Sequence, residues 1–135
     1  MNTLTGHIST ITTDQGISLV QVLASGHTFY SIILDTQDTS PWLKEGSPVR
    51  LLFKETEVMI ALPSPGLQIS VRNQIPCRIT AINRGVLLCE LTLSTPADEK
   101  IRSIITRAAC EALNLKENDP IIALIKTNEV SLAHD

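Results

Sequence analysis

A chain of 135 residues and 14.7 kDa holds one ordinary domain or two very small ones. With 43% hydrophobic and 19% charged residues it can build a core and is not a disordered chain. A net charge of −3 and only four aromatic rings (Phe29, Tyr30, Trp42, Phe53) argue against a basic, stacking surface for nucleic acid or a patch for an anionic membrane.

The first residues, Met1 to Gly6, lack the basic-then-apolar layout of a signal peptide, and no run approaches 18 apolar residues. A soluble, cytoplasmic protein is the expectation. Gly6–Ile11 then reads as a strand, followed by a turn at Gly16 and the period-2 run Ile17–Leu23. Asp38–Leu43 would give at most one helical turn. Trp42–Val49 and Phe53–Ala61 supply the last strands of this stretch, and Leu62–Gln68, with two prolines and a glycine, is a connector.

Beyond the connector the same order returns. Cys77–Ile82 matches Gly6–Ile11 at an offset of 71, Gly85 answers Gly16, and Val86–Leu93 answers the second strand. Thr106–Leu113 is alanine-rich and predicts a short helix with Thr106 as its N-cap. Asn114–Ile121 and Ile125–Ala133 match Trp42–Val49 and Phe53–Ala61 at an offset of 72. The chain is therefore an internal duplication, with one unit over 1–62, a linker over 63–68 and a second unit over 69–135.

Five strands in about 65 residues predict an all-β fold: two tandem five-stranded barrels of the OB type, which closure protects from exposed edges, with a short helix in the second. A barrel of that size buries only about 60% of its unfolded surface. Packing of the two barrels on each other and on further copies follows, so a homo-oligomer, most simply a dimer, is expected.

Cys77, Cys89 and Cys110 are odd in number and sit among apolar neighbours, which suits buried reduced thiols. His7, His27 and His134 share no ligand spacing with them, so no metal site is expected. No nucleophile lies beside a base, no Gly-rich phosphate loop is present, and no pair of carboxylates suggests catalysis. A binding module is expected, not an enzyme, with no cofactor.

A tetrahedral dianion can be held without a metal where amides, hydroxyls and one or two fixed cations converge on its oxygens. The second unit offers such a set: Ser70-Val71-Arg72-Asn73 before its first strand, Thr106 at the start of the helix, whose free amides favour an anion, and Lys126 at the end of a strand.

These residues carry a family resemblance. Ser70-Val71-Arg72-Asn73-Gln74-Ile75-Pro76, Arg84-Gly85, Ile105-Thr106, Leu113-Asn114-Leu115-Lys116 and Ala123-Leu124-Ile125-Lys126 occur in the order seen in the molybdate-binding Mop, or TOBE, domain, which the chain resembles well over 69–133 and more loosely over 4–62. The resemblance implies a site for molybdate or tungstate between subunits, with Ser70, the backbone of Val71, Arg72, Asn73 and Lys126 of one chain facing Thr106 and Ala109 of another. Family members often have a serine where Ala109 stands. Lys54 corresponds to Lys126, but no Ser-x-Arg-Asn segment precedes the first unit.

The arrangement looks most like the C-terminal regulatory region of a molybdate transporter ATPase subunit, whose partner would be an ABC transporter membrane subunit. It is also similar to molybdate homeostasis proteins and to the ligand domain of a molybdate-responsive regulator. An assembly module without a working ligand site is the alternative from another class.

Overall fold

A computed structural model describes all residues, Met1–Asp135. The strands are β1 (Asn2–Asp14), β2 (Ile17–Ala24), β3 (His27–Ile33), β4 (Pro48–Phe53), β5 (Met59–Ala61), β6 (Asn73–Arg84), β7 (Leu88–Ser94), β8 (Lys100–Thr106), β9 (Pro120–Ile125) and β10 (Ser131–Ala133). One α-helix, α1 (Arg107–Ala112), follows β8, and short 3-10 turns at Glu55–Glu57 and Thr127–Glu129 precede β5 and β10. The chain is all-β in two tandem five-stranded OB-like units, as the duplication predicts.

Each repeat opens on a long strand that serves two neighbours. β1 pairs antiparallel with β2 along its second half and β4 along its first, and β6 does the same with β7 and β9. One extra residue in each long strand makes the bend: Ser9 in β1 and Thr80 in β6 fall between register positions. A bulge of this kind coils a strand sharply enough to turn a barrel corner. Both bulge residues carry a hydroxyl, and each donates to a carbonyl on the next strand, Gln21 and Thr92, at 3.2 Å. The approach to β4 and β9 is duplicated too. Gly46 and Asn118 sit at φ +85° and +73°, and their N–H groups donate to the carbonyls of Ile8 and Ile79. Glycine and asparagine are the residues that take this left-handed turn most readily.

The sheets correct the one-barrel-per-repeat division. Their orders are β10-β4-β1-β2-β3 and β5-β9-β6-β7-β8, so the last strand of each repeat completes the sheet of the other. Met59–Ala61 pairs with Leu124–Ile122, and Ser131–Ala133 pairs with Leu52–Arg50. The expected units 1–62 and 69–135 therefore do not coincide with the two sheets, each of which takes one strand from the other repeat. The physical reason is that a three-residue strand of mixed exposure is satisfied by any open edge of the right register, whichever repeat that edge belongs to.

Buried hydroxyls secure the exchange. Ser31 Oγ on β3 donates to the Val130 carbonyl at 2.5 Å, and Ser103 Oγ on β8 donates to the Val58 carbonyl at 2.6 Å, each just before the exchanged strand. The hydroxyls of Ser25 and Thr95, at matching turns of the two repeats, are bonded to each other. Beneath these contacts lies one continuous apolar cluster drawn from both repeats, including Leu4, Ile8, Phe29, Leu51 and Phe53 from the first and Ile75, Ile79, Leu91, Leu93 and Ile121 from the second. The three cysteines are free and buried. Burial pushes the Cys77 thiol up to about 12, and burial together with the neighbouring Cys89 raises that of Cys110. No helix is long and apolar enough to cross a membrane.

Candidate functional site

The nominated residues fall into two groups at opposite ends of the second sheet. At one end, Asn73 opens β6 and lies across from Ile125, the last residue of β9, so that Arg72 and Lys126 leave the sheet side by side. Both side chains are exposed, and neither forms an ion pair. Ser70 is exposed just upstream. Val71 is buried, and its carbonyl accepts from Gln74 Nε2 at 2.9 Å, which ties the segment to the start of β6. Two adjacent unpaired cations beside a hydroxyl form an anion-attracting surface.

Asn73 plays a different part from the one its motif suggests. It is fully buried; its Oδ1 accepts from the Tyr30 N–H at 2.7 Å, and its Nδ2 donates to the Tyr30 carbonyl at 2.9 Å. Both ends of the amide are thus engaged by β3 of the other sheet, and the side chain anchors the segment without facing solvent. Asn2 does the same in the first repeat, with Oδ1 accepting from the Arg102 N–H at 2.7 Å and Nδ2 donating to the Arg102 carbonyl at 2.8 Å. Asn2 and Asn73 are therefore equivalent. Sequence alone does not nominate Asn2, because its role shows only once its partner strand is in view.

At the other end, Leu88 pairs with Thr106, and α1 begins immediately afterwards. The twelve residues of β6 separate this end from Arg72 by roughly 40 Å of strand path at about 3.3 Å per residue. One chain does not bring Thr106 or Ala109 to Arg72 and Lys126. Thr106 is the N-cap, as predicted, and its Oγ1 accepts from the Ala109 N–H at 3.1 Å. The Arg107 N–H donates to the Leu87 carbonyl at 2.8 Å. Two first-turn amides that the sequence left free for an anion are thus already bonded within the chain. The Thr106 hydroxyl proton remains available at this end, since the cap uses only the oxygen as acceptor. Arg107 is paired with Glu111 at 2.8 Å. Replacing Thr106 by alanine should lower stability by about 1 kcal/mol, the usual contribution of such a cap. Urea unfolding of Thr106→Ala and Thr106→Ser would show it, with serine retaining most of the stability that alanine loses.

An apolar tip adjoins this end. Val86, Leu87 and Leu88 are 86%, 78% and 54% exposed, and with Thr106, Arg107 and Ala108 they line one shallow depression. Gly85 closes the turn before them, where an added Cβ would lie 2.8 Å from the Leu88 carbonyl oxygen.

Taken together, a bulged five-stranded OB-like unit present twice, with its cation-bearing turn ahead of β6, defines a class of small anion-site barrel domains. The TOBE domain pattern matches residues 69–132. The chain is 32% identical over 66 residues to molybdenum-pterin-binding protein 3 of Clostridium pasteurianum, a stretch that covers 49% of this chain and 97% of that protein. The chain belongs to the Mop/TOBE family. It is also 31% identical over 88 residues to the molybdenum transport protein ModE of Azotobacter vinelandii, covering 65% of this chain and 32% of that one. To the ModE of Herbaspirillum seropedicae it is 26% identical over 133 residues, 98% of this chain and 49% of that one. The chain thus spans half or less of the ModE proteins it matches. Among solved structures, the cytoplasmic molybdate-binding protein ModG, crystallised with molybdate bound, superposes with a TM-score of 0.92 at 25% identity, over 99% of this chain and 96% of that one.

Proposed function

We propose that this chain binds molybdate or tungstate, without turning it over, at a site completed between copies of itself in the cytoplasm. Ser70, the backbone of Val71, Arg72 and Lys126 of one copy meet the oxyanion, Asn73 holds their segment in place, and Thr106 with the start of α1, including Ala109, comes from another copy. The observation that carries this reading is the unpaired cation pair of Arg72 and Lys126 at neighbouring strand ends. The likeness to ModG over nearly the whole of both chains supports it. So does the bare apolar tip beside Thr106, which a second copy would cover.

Titration calorimetry with molybdate and tungstate, with sulfate as comparator, tests the reading. Arg72→Ala and Lys126→Ala should each weaken binding roughly tenfold or more, the effect of losing one charge-assisted hydrogen bond, and leave the oligomer unchanged on sizing. Absence of heat and of any thermal shift at millimolar oxyanion overturns it.

Three settings suit such a module: molybdate homeostasis as a free tandem protein, the ligand half of a molybdate-responsive regulator, and the regulatory end of a transporter ATPase that contacts an ABC membrane subunit. The similarity to ModG along nearly its full length favours the first. A second reading, an assembly module with its ligand site lost, draws on Ala109, which offers no hydroxyl, and on the two bonded amides of α1. A stable oligomer that takes up no oxyanion would support it.

A further inference from the structure

The Arg72 guanidinium lies over the ring of Tyr30, 4.2 Å from its centroid. Tyr30 belongs to β3 of the first repeat, and its backbone is the strip to which Asn73 is bonded through both ends of its amide. Two consecutive residues of the segment therefore grip one residue of the other repeat, Asn73 by the main chain and Arg72 by the ring. A guanidinium stacked by its face keeps its N–H edge free, and that edge is the fork that meets oxyanions. Stacking also removes much of the rotational freedom of a long exposed side chain before any ligand arrives.

The duplication provides an internal control. At the equivalent place in the other half, Asn2 grips Arg102 in the same way, so an arginine stands where this half has the Tyr30 ring. The only tyrosine of the chain stands opposite the only Ser-x-Arg-Asn segment. From this juxtaposition we infer that Tyr30 is a positioning residue for the oxyanion site: it presents the Arg72 fork, so the repeat without the anion motif supplies a part that the motif-bearing repeat needs. The inference rests on the function proposed above.

The test compares the full chain with its Tyr30→Phe and Tyr30→Leu variants. The main-chain bonds to Asn73 remain in both, and unfolding curves without ligand check that the fold is intact. Molybdate should bind the wild type and Tyr30→Phe with similar Kd, because phenylalanine keeps the ring face. Tyr30→Leu should raise Kd about fivefold, the size expected of one surface cation–π contact. In the proton–nitrogen spectrum, the Arg72 Nε–Hε signal should carry a ring-current shift in the wild type and Tyr30→Phe that vanishes in Tyr30→Leu. A merely structural role would not move that signal in this pattern. Wild-type affinity in Tyr30→Leu, or an equal loss in Tyr30→Phe, overturns the inference while leaving the functional reading intact. Failure of the wild type to bind molybdate overturns both.

Discussion

Asn73→Ala should lower the unfolding free energy by about 2–4 kcal/mol, since it deletes two hydrogen bonds and strands the N–H and carbonyl of Tyr30 at a partly buried junction. The size of the effect comes from the geometry. An amide is the only side chain of this length that can donate and accept in one plane, so that a single residue completes the backbone of a strand it does not pair with. Asn73→Asp should fare no better: the carboxylate cannot donate to the Tyr30 carbonyl and adds a buried charge. Denaturant unfolding with matched m-values checks this, and a change below about 1 kcal/mol would show that the bridge adds little. Loss of oxyanion affinity should accompany the loss of stability, because the turn carrying Ser70 and Arg72 is held through this residue.

The second large effect concerns the exchanged strands. Residues 69–135 produced alone should not persist as a folded monomer. Their sheet would lack β5, leaving the Ile122–Leu124 edge of β9 open and Ser103 without the Val58 carbonyl, while β10 would project with no β4 to join. Because β5 and β10 are equivalent strands of a duplicated unit, two such fragments can repair one another, each placing its β10 where β5 belongs. The expected product is a reciprocal dimer whose melting temperature rises with concentration, since dissociation and unfolding become one event. Light scattering that reports a compact monomer with a cooperative melt would refute the account.

Much of this architecture was legible in the sequence, for reasons that individual residues show. The period-2 runs, Gly46-Ser47-Pro48 against Asn118-Asp119-Pro120, and the Thr106 cap are local signals, and each produced the local structure it encodes: matched strands, matched left-handed turns and a helix over Arg107–Ala112. The exchange was not legible. Val58-Met59-Ile60-Ala61 and Val130-Ser131-Leu132-Ala133 specify an edge strand but not which open edge receives it, a choice made by long-range geometry. The candidate site was half legible. Ser70, Arg72 and Lys126 could be gathered because a motif marks them, whereas Tyr30 lies 42 positions upstream in the other repeat and carries no motif at all. The burial of Asn73 was hidden for a related reason: a short polar residue in a turn-like segment reads as solvated until its partner strand is in view.

The crossed order of the sheets also constrains how the chain can be made. The edge strand of the first sheet is synthesised after every other strand of both sheets, so the first sheet remains unfinished through the whole synthesis of the second. Contacts spanning most of the sequence raise the contact order and slow folding. A nascent chain of this kind waits with two incomplete edges, and its neighbours on a polysome carry the same missing pieces.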